Sequence, residues 1–407
     1  MSNKQDGLTK TRVGVFSNNR SKPIHRWYPF VEGYSAELVE WGLALCTTRS
    51  PRVLDPFGGS GTTALAAAEA GLDSWFCEVN PYLAWVAEVK VNQTQAVVST
   101  RDLDPLLELR ERLGSSDSWL PLGQNSPLLE VQAAMSYFPE GVADQVVAVL
   151  AWLDRETEGP TRELGRLAVA VSLVPSSNMI RRTDLRRRTS RDPQPKPFLE
   201  HLSKALTMIL QDLADLPVLR PCRATHVSSD IRRLDVDDDC RFDLIITSPP
   251  YLNGTNYFRN TKLELVALGF IGDEGELSGL RAESITAGIN NVTKRRSDPG
   301  VIGEVEEVAV ALDAAAYDKR IPRLVRLYFS DMRDAMEAMR GSVGAGTELL
   351  LDIGDSRFAG VGVPTHELLR VVGEQVGWAH RETVPVRERR SYDGSKLVQV
   401  VERFVAR

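Results

Sequence analysis

Apolar residues along this chain fall into two rhythms, short continuous runs and helical stripes, and the two alternate in two separate regions. Arg52–Phe57 (RVLDPF) is a brief apolar run of the kind a buried strand shows, and Gly61–Gly71 (GTTALAAAEAG) is alanine-rich and closed by glycine, as a helix is. Asp73–Asn80 (DSWFCEVN) reads as a second strand, and PYLAWVAEVKVNQ from Pro81 as a helix with proline in its first turn. Before them, HRWYPFVEGYSAELVEWGLALC reads as a loop entering a helix near Ser35, with Glu37 and Glu40 suiting the first turn. The alternation returns late. RFDLIITS is a strand, Leu324–Gly341 an amphipathic helix, TELLLDIGD a strand, PTHELLRVVGEQVG a helix and KLVQVVERFVA a closing strand. Strand, loop, helix, strand is the signature of an α/β fold with a parallel sheet.

Between these halves the periodicity is helical, as in LDPLLELRERLG and KPFLEHLSKALTMILQDLADL, without strand alternation. The chain divides accordingly. Residues 1–24 form a polar arm, 25–95 a first α/β half and 96–225 an inserted helical subdomain. Residues 226–271 resume the sheet, 272–322 form a second insertion and 323–407 complete the fold. No internal repeat is visible.

Composition narrows the class. Of 407 residues 43% are hydrophobic and 26% charged, an ordinary globular balance. The net charge of -6 confines any nucleic-acid surface to a local patch. Cys46, Cys77, Cys222 and Cys240 are scattered with no Cys-x-x-Cys pair, so neither a zinc site nor a disulfide framework is expected. The polar start MSNKQDGLTKTR has no apolar signal segment, and the longest apolar run, Leu167–Val174, is too short for a bilayer. A soluble, cytoplasmic protein with no membrane contact is expected.

Two stretches carry chemistry. In VLDPFGGSGTTALAAAEAG, glycines 58, 59 and 61 allow a sharp turn and close approach of backbone to a ligand, and Thr62 and Thr63 can cap the helix. Glu78 follows 23 positions after Asp55, about where a Rossmann acid meets ribose hydroxyls. There is no Gly-Lys-Ser/Thr, hence no P-loop, and no G-x-G-x-x-G. Taken alone, the glycines fit a plain strand-to-helix turn equally well. The second stretch, FDLIITSPPY, stops a buried strand on two prolines, which cannot donate hydrogen bonds and are fixed in φ.

Together, DPFGGSGTT and TSPPY resemble the S-adenosylmethionine-dependent DNA amino-methyltransferases, which methylate cytosine N4 or adenine N6. The resemblance covers roughly residues 25–95, 226–270 and 324–407. It implies a Rossmann-like, mostly parallel seven-stranded sheet closed by an antiparallel hairpin, with S-adenosylmethionine as donor and S-adenosylhomocysteine as product. It assigns Asp55, Phe57, Gly58, Gly59, Ser60, Gly61 and Thr62 to the cofactor loop, Glu78 and Asn80 to the ribose side, and Thr247 to the strand end. Tyr28 and Pro29, in a segment similar to one that closes over the methionine end, and Asp230, at the adenine position, complete the cofactor set. Asp230 also suits a cap before Ile231.

Ser248, Pro249, Pro250 and Tyr251 take the catalytic role in this resemblance. An exocyclic amine is a poor nucleophile because its lone pair is delocalised into the ring. Rigid acceptors, the Ser248 hydroxyl and the Pro249 carbonyl, would turn that lone pair toward the donor and stabilise the charge that develops. Tyr251 would stack on a base extruded from the duplex. Serine at position 248 inclines the expectation to cytosine N4 over adenine N6. Cytosine C5 chemistry needs a cysteine nucleophile, and PCRA (Pro221–Ala224) lies outside the strand-end setting it would require.

Six arginines between Arg181 and Arg191 make a candidate phosphate surface, Arg181, Arg182, Arg186, Arg187 and Arg188 foremost. Lys294, Arg295 and Arg296 are a smaller one, and both also fit solvated charged loops. Asn178, Arg181, Arg182 and Asn253 are candidates for reading base edges. The glycine loop precedes Ser-Pro-Pro-Tyr by about 190 residues, the reverse of many serine-type members. The recognition region is therefore expected between the two halves. Double-stranded DNA is the expected partner, with a restriction endonuclease or other defence protein beside it; oligomeric state is open. The competing readings are an RNA base methyltransferase and a catalytically silent DNA-binding protein.

Overall fold

A computed structural model describes residues 16–30, 33–114, 136–182, 184–217, 220–234, 241–252, 257–273, 275–292, 302–390 and 394–407. In chain order the strands are β1 (Val53–Asp55), β2 (Ser74–Cys77), β3 (Met179–Arg181), β4 (Leu185–Arg187), β5 (Ala224–Ser228), β6 (Phe242–Thr247), β7 (Val343–Gly354), β8 (Ser356–Phe358), β9 (Val361–Val363), β10 (Trp378–Arg390) and β11 (Lys396–Ala406). Seven of them form one sheet in the order β10-β11-β7-β6-β1-β2-β5. β5, β2, β1, β6 and β7 pair in parallel, and β11 runs against both β7 and β10. This is the seven-stranded, Rossmann-like methyltransferase sheet with its reversed hairpin.

Alternation along the strands assigns the two faces. Val53, Leu244, Ile246, Leu350 and Val401 pack with helices Ala36–Leu45 and Thr62–Glu69. Leu54, Ile245, Leu349 and Leu351 pack with helices Arg320–Gly341 and Thr365–Gln375. The helix between β1 and β2 therefore lies on one face of the sheet, and the long helix that leads into β7 on the other. A crevice opens where two neighbouring parallel strands send their connections to opposite faces, beyond the carboxyl ends of those strands.

The long insertion contributes helices Asp104–Arg112, Val142–Glu156, Gly159–Leu173 and Phe198–Asp215 and the hairpin β3–β4. These helices share one apolar cluster with Tyr82, Leu83 and Val86 of helix Pro81–Glu88. They are thus packed onto the sheet domain. Among the described residues, no helix is long and apolar enough to cross a membrane.

The N-terminal segment is held by one buried carboxylate. Asp212 accepts bonds from the Ile24 amide (3.1 Å), Arg26 Nε (3.2 Å) and Trp27 Nε1 (2.8 Å), with Arg26 Nη2 also on Oδ1. Asn19 clips the same segment further on, donating to the Tyr34 carbonyl and accepting from the Ala36 amide. Asp212→Ala leaves these donors unsatisfied in the interior. It should destabilise the protein by about 2–4 kcal/mol in denaturant unfolding. A loss below about 0.5 kcal/mol, the scale of an inert surface change, would show that the anchor carries no weight.

Candidate active site

The crevice holds a cavity of about 260 Å³. Phe57, Gly58, Gly59, Ser60 and Thr62 line it from the turn after β1, and Glu78 and Asn80 from the end of β2. Asp230 lines it after β5, and Ser248, Pro249, Pro250 and Tyr251 after β6. Glycine turn and diproline corner thus face one space.

The turn is built for close packing. Gly61 ends it in the left-handed region (φ 80°), and a β-carbon there would sit 2.7 Å from Ala87 Cβ. The Gly58 amide donates to the Cys77 carbonyl (2.8 Å) and the Gly59 amide to Glu78 Oε2 (2.8 Å), so the turn is fastened to the end of β2. Glu78 Oε1 receives the Asn80 amide (2.8 Å). Burial pushes the Glu78 carboxyl up to about 7 against the pull of these two N–H donors. Its side chain is nonetheless partly exposed, because it opens onto the cavity. Beneath the turn, buried Lys90 donates to the Ser60 carbonyl (3.0 Å), and desolvation lowers its pKa to about 7. Lys90 comes from a π-helical turn, Val89–Gln93, that helical periodicity alone does not reveal.

Asp55 lies under the cavity wall and binds it together. Its Oδ1 accepts from Thr247 Oγ1 (2.8 Å) and the Phe57 amide (3.1 Å), and its Oδ2 from the Tyr34 hydroxyl (2.8 Å). Burial raises its pKa, and the Tyr34, Thr247 and Phe57 donors pull it back.

Several expected contacts are placed differently. Tyr28 and Pro29 are not among the cavity-lining residues; Phe30, Gly33 and Tyr34 of the same segment are. Tyr28 is buried behind them, edge-on to Tyr82 and bonded to Glu264 (3.3 Å), because its ring completes the helical core. Asp55, Gly61 and Thr247 support the wall from behind and do not line it. Asn80 caps helix Pro81–Glu88 through the Tyr82 and Leu83 amides and donates to Thr261 (2.8 Å). Asp230 also caps, taking the Arg232 amide (3.0 Å) and a two-pronged ion pair from the Arg232 guanidinium. Arg232 in turn reaches Asp331 (2.8 Å).

The arginine run forms β3–β4 and its flanks, and much of it turns inward. Arg181 donates to the Asn260 carbonyl (2.8 Å) and to buried Glu264 (2.5 Å), over the Tyr28 ring. Arg188 caps the Ser177, Pro193 and Pro175 carbonyls. Asp192, its carboxyl held well below the usual range, takes Arg186 in a two-pronged pair. Arg187 reaches Ser136 and Tyr137. Arg182, Arg186 and Arg187 remain exposed; Arg181 and Arg188 are structural ties, a correction to the expected phosphate surface. Lys294, Arg295, Arg296 and Asn253 lie outside the described residues.

Spacing alone does not show the support of Tyr251. Its amide donates to the Tyr257 hydroxyl (2.9 Å), and its own hydroxyl accepts from Gln399 Nε2 (2.9 Å), 148 positions away. Tyr257 and Arg387 line the cavity too.

No family model matches the chain. It is 25% identical over 406 residues to the Type II methyltransferase M.AvaI of Nostoc sp., an alignment covering 90% of this chain and 81% of that protein. The Type II methyltransferase M.BsoBI of Geobacillus stearothermophilus is 23% identical over 441 residues, covering 94% and 84%. A 74-residue stretch, 18% of this chain and 14% of the other, is 32% identical to the Type II methyltransferase M.MjaII of Methanocaldococcus jannaschii. Among solved structures, an rRNA methyltransferase, aviRa, from Streptomyces viridochromogenes aligns over 93% of this chain and 84% of that one at 12% identity. Its TM-score of 0.31 is too low to bear on the fold. Type II methyltransferases are thus similar to this chain over nine tenths of its length.

Proposed function

We propose that the protein transfers a methyl group from S-adenosylmethionine to the exocyclic amine of a base turned out of duplex DNA, with cytosine N4 as the target. The observation that carries this reading is the shared cavity, with the glycine turn and Glu78 on one side and Ser248–Tyr251 on the other. The similar Type II methyltransferases support DNA as substrate; a restriction endonuclease as functional partner is part of the proposal.

The residues present fit the cofactor. Each Glu78 oxygen accepts one backbone N–H, which leaves acceptor capacity on both for a vicinal diol. Ser60 Oγ is buried at the turn with no hydrogen-bond partner among the described residues. Asp230 keeps acceptor capacity on Oδ2 beside its Arg232 bond. When bound, S-adenosylmethionine supplies an electrophilic methyl on a sulfonium. Glu78 would hold the ribose, Asp230 the adenine amine, and the Gly58–Ser60 backbone would follow the rest.

The diproline corner handles the amine. Pro249 and Pro250 lack N–H groups, so no neighbouring donor competes for the carbonyls. The Ser248 hydroxyl and Pro249 carbonyl accept from the two amine hydrogens and draw the lone pair out of conjugation. Tyr251 offers a face to the base, and stacking of this kind returns about 1–3 kcal/mol toward the cost of extrusion. Serine at 248, by its resemblance to the cytosine-directed members, favours N4. The exposed Arg182, Arg186 and Arg187 would hold phosphates and position the duplex.

Long-read sequencing of DNA from expressing cells should show N4-methylcytosine at one recurrent motif. N6-methyladenine there would overturn the cytosine assignment alone. Unmodified DNA, together with methyl transfer to RNA by the purified protein, would overturn the DNA reading. Ser248→Ala should slow methyl transfer about a hundredfold while leaving S-adenosylmethionine affinity unchanged; transfer at the wild-type rate would exclude Ser248 from the chemistry.

Cofactor affinity should depend on pH through Glu78. Its carboxyl titrates near 7, and only the carboxylate accepts from both hydroxyls. Calorimetry should find binding about tenfold tighter at pH 8 than at pH 6, with the dependence abolished in Glu78→Gln. Stability moves oppositely. The raised carboxyl favours the folded state below the ordinary value of 4.5, and that contribution is lost as pH rises through about 7. A flat affinity profile would remove Glu78 from the cofactor site.

A further inference from the structure

We propose that Arg387 and Gln399, on the C-terminal hairpin, are positioning residues that fix the plane of the Tyr251 ring against the extruded base. The inference rests on the reading of the cavity as a base pocket.

A bulge brings the pair together. Along β10–β11, Pro385 lies opposite Val400 and Arg387 opposite Gln399, so Val386 is an extra residue in the ladder. In unbroken register Arg387 would face Val398. The bulge instead aligns the Arg387 side chain with Gln399, and Arg387 lines the cavity. Arg387 Nε donates to Gln399 Oε1 (2.6 Å). Gln399 Nε2 donates to both Asp352 oxygens (2.8 and 3.0 Å) and to the Tyr251 hydroxyl (2.9 Å).

The amide orientation is chemically determined. A guanidinium can only donate, so Oε1 faces Arg387 and Nε2 faces Asp352 and Tyr251. Tyr251 must then be the acceptor toward Gln399. Asp352 and Gln399 are buried, whereas Arg387 is exposed, so the chain of bonds runs from the cavity mouth to the ring. The Tyr257 hydroxyl fixes the Tyr251 backbone at the other end. With both ends held, the ring keeps one plane before any base arrives, and that preorganisation limits the entropy lost on stacking.

The test uses the full-length protein and a duplex carrying the motif that sequencing identifies. Tyr251→Phe, Gln399→Leu and their double variant are compared in single-turnover methyl transfer. A matching duplex with 2-aminopurine at the target position reports stacking of the extruded base. Each single variant should slow transfer about tenfold, with S-adenosylmethionine affinity unchanged and the same change in 2-aminopurine fluorescence. The double variant should be no slower than the slower single one. Arg387→Met, an exposed change that spares the core, should slow transfer about threefold in wild type and not at all in Tyr251→Phe. It keeps the test decisive if Gln399→Leu fails to fold. Multiplicative losses in the double variants, or Arg387→Met at the wild-type rate, would overturn the positioning role while leaving the methyltransferase reading intact. A wild-type protein that methylates no duplex would overturn both.

Discussion

The site depends on a carboxylate that never reaches it. Asp55 is buried at the end of β1, where an uncompensated charge would cost several kcal/mol. It is compensated by donors from three separate stretches: Tyr34 from the N-terminal segment, Phe57 from the glycine turn and Thr247 from the strand that leads into Ser-Pro-Pro-Tyr. Hydrogen bonds to a charged group contribute about 1.5–3 kcal/mol each, and a buried acid left with any of them missing is expensive. The N-terminal segment, the glycine turn and the strand leading into Ser-Pro-Pro-Tyr are therefore held in register by one residue. Thr63, in contact with the same Tyr34 hydroxyl, extends the tie to the helix that follows the turn.

The sheet supplies the frame for that tie. β1 and β6 are neighbours, with Leu54 opposite Ile245, so Asp55 and Thr247 emerge side by side. The helices that lead to β2 and to β7 lie on opposite faces, and the cavity opens beyond the carboxyl ends of β1 and β6. The same geometry explains why about 190 residues can intervene between the two motifs without separating them. Helices of the insertion pack against Tyr82 and its neighbours on the outside and leave the switch point open.

What the sequence disclosed follows from which interactions are local. β1, β2, β6, β7 and β11 are apolar runs, because central strands are buried on both faces, and each is legible as such. β5 and β10 are edge strands. ATHVS and WAHRETVPVRERR carry polar and charged residues where solvent meets them, which hides their period. The glycine turn and Ser-Pro-Pro-Tyr are visible because backbone constraints demand glycine and proline at fixed places. Gln399, Arg387 and Asp352 are not, because their roles come from long-range pairing and a bulge. The arginine run shows the converse limit. Its density suggested a phosphate surface, yet a count of like charges cannot tell that Glu264 and a set of backbone carbonyls claim Arg181 and Arg188.

Burial and function pull in opposite directions on Glu78 and Lys90, and the cavity reconciles them. Both groups lie near the glycine turn, and desolvation drives each toward its neutral form near pH 7. Among the described residues Lys90 donates to a carbonyl, which a neutral amine serves as well as an ammonium. Glu78 differs, since its Oε2 accepts from the turn itself and the remaining capacity points into open space. Donors arriving from a ligand would restore the ionised form at the same moment that they fill the cavity. Binding and ionisation therefore favour each other at the turn, and the energy for this comes from the burial that shapes the pocket.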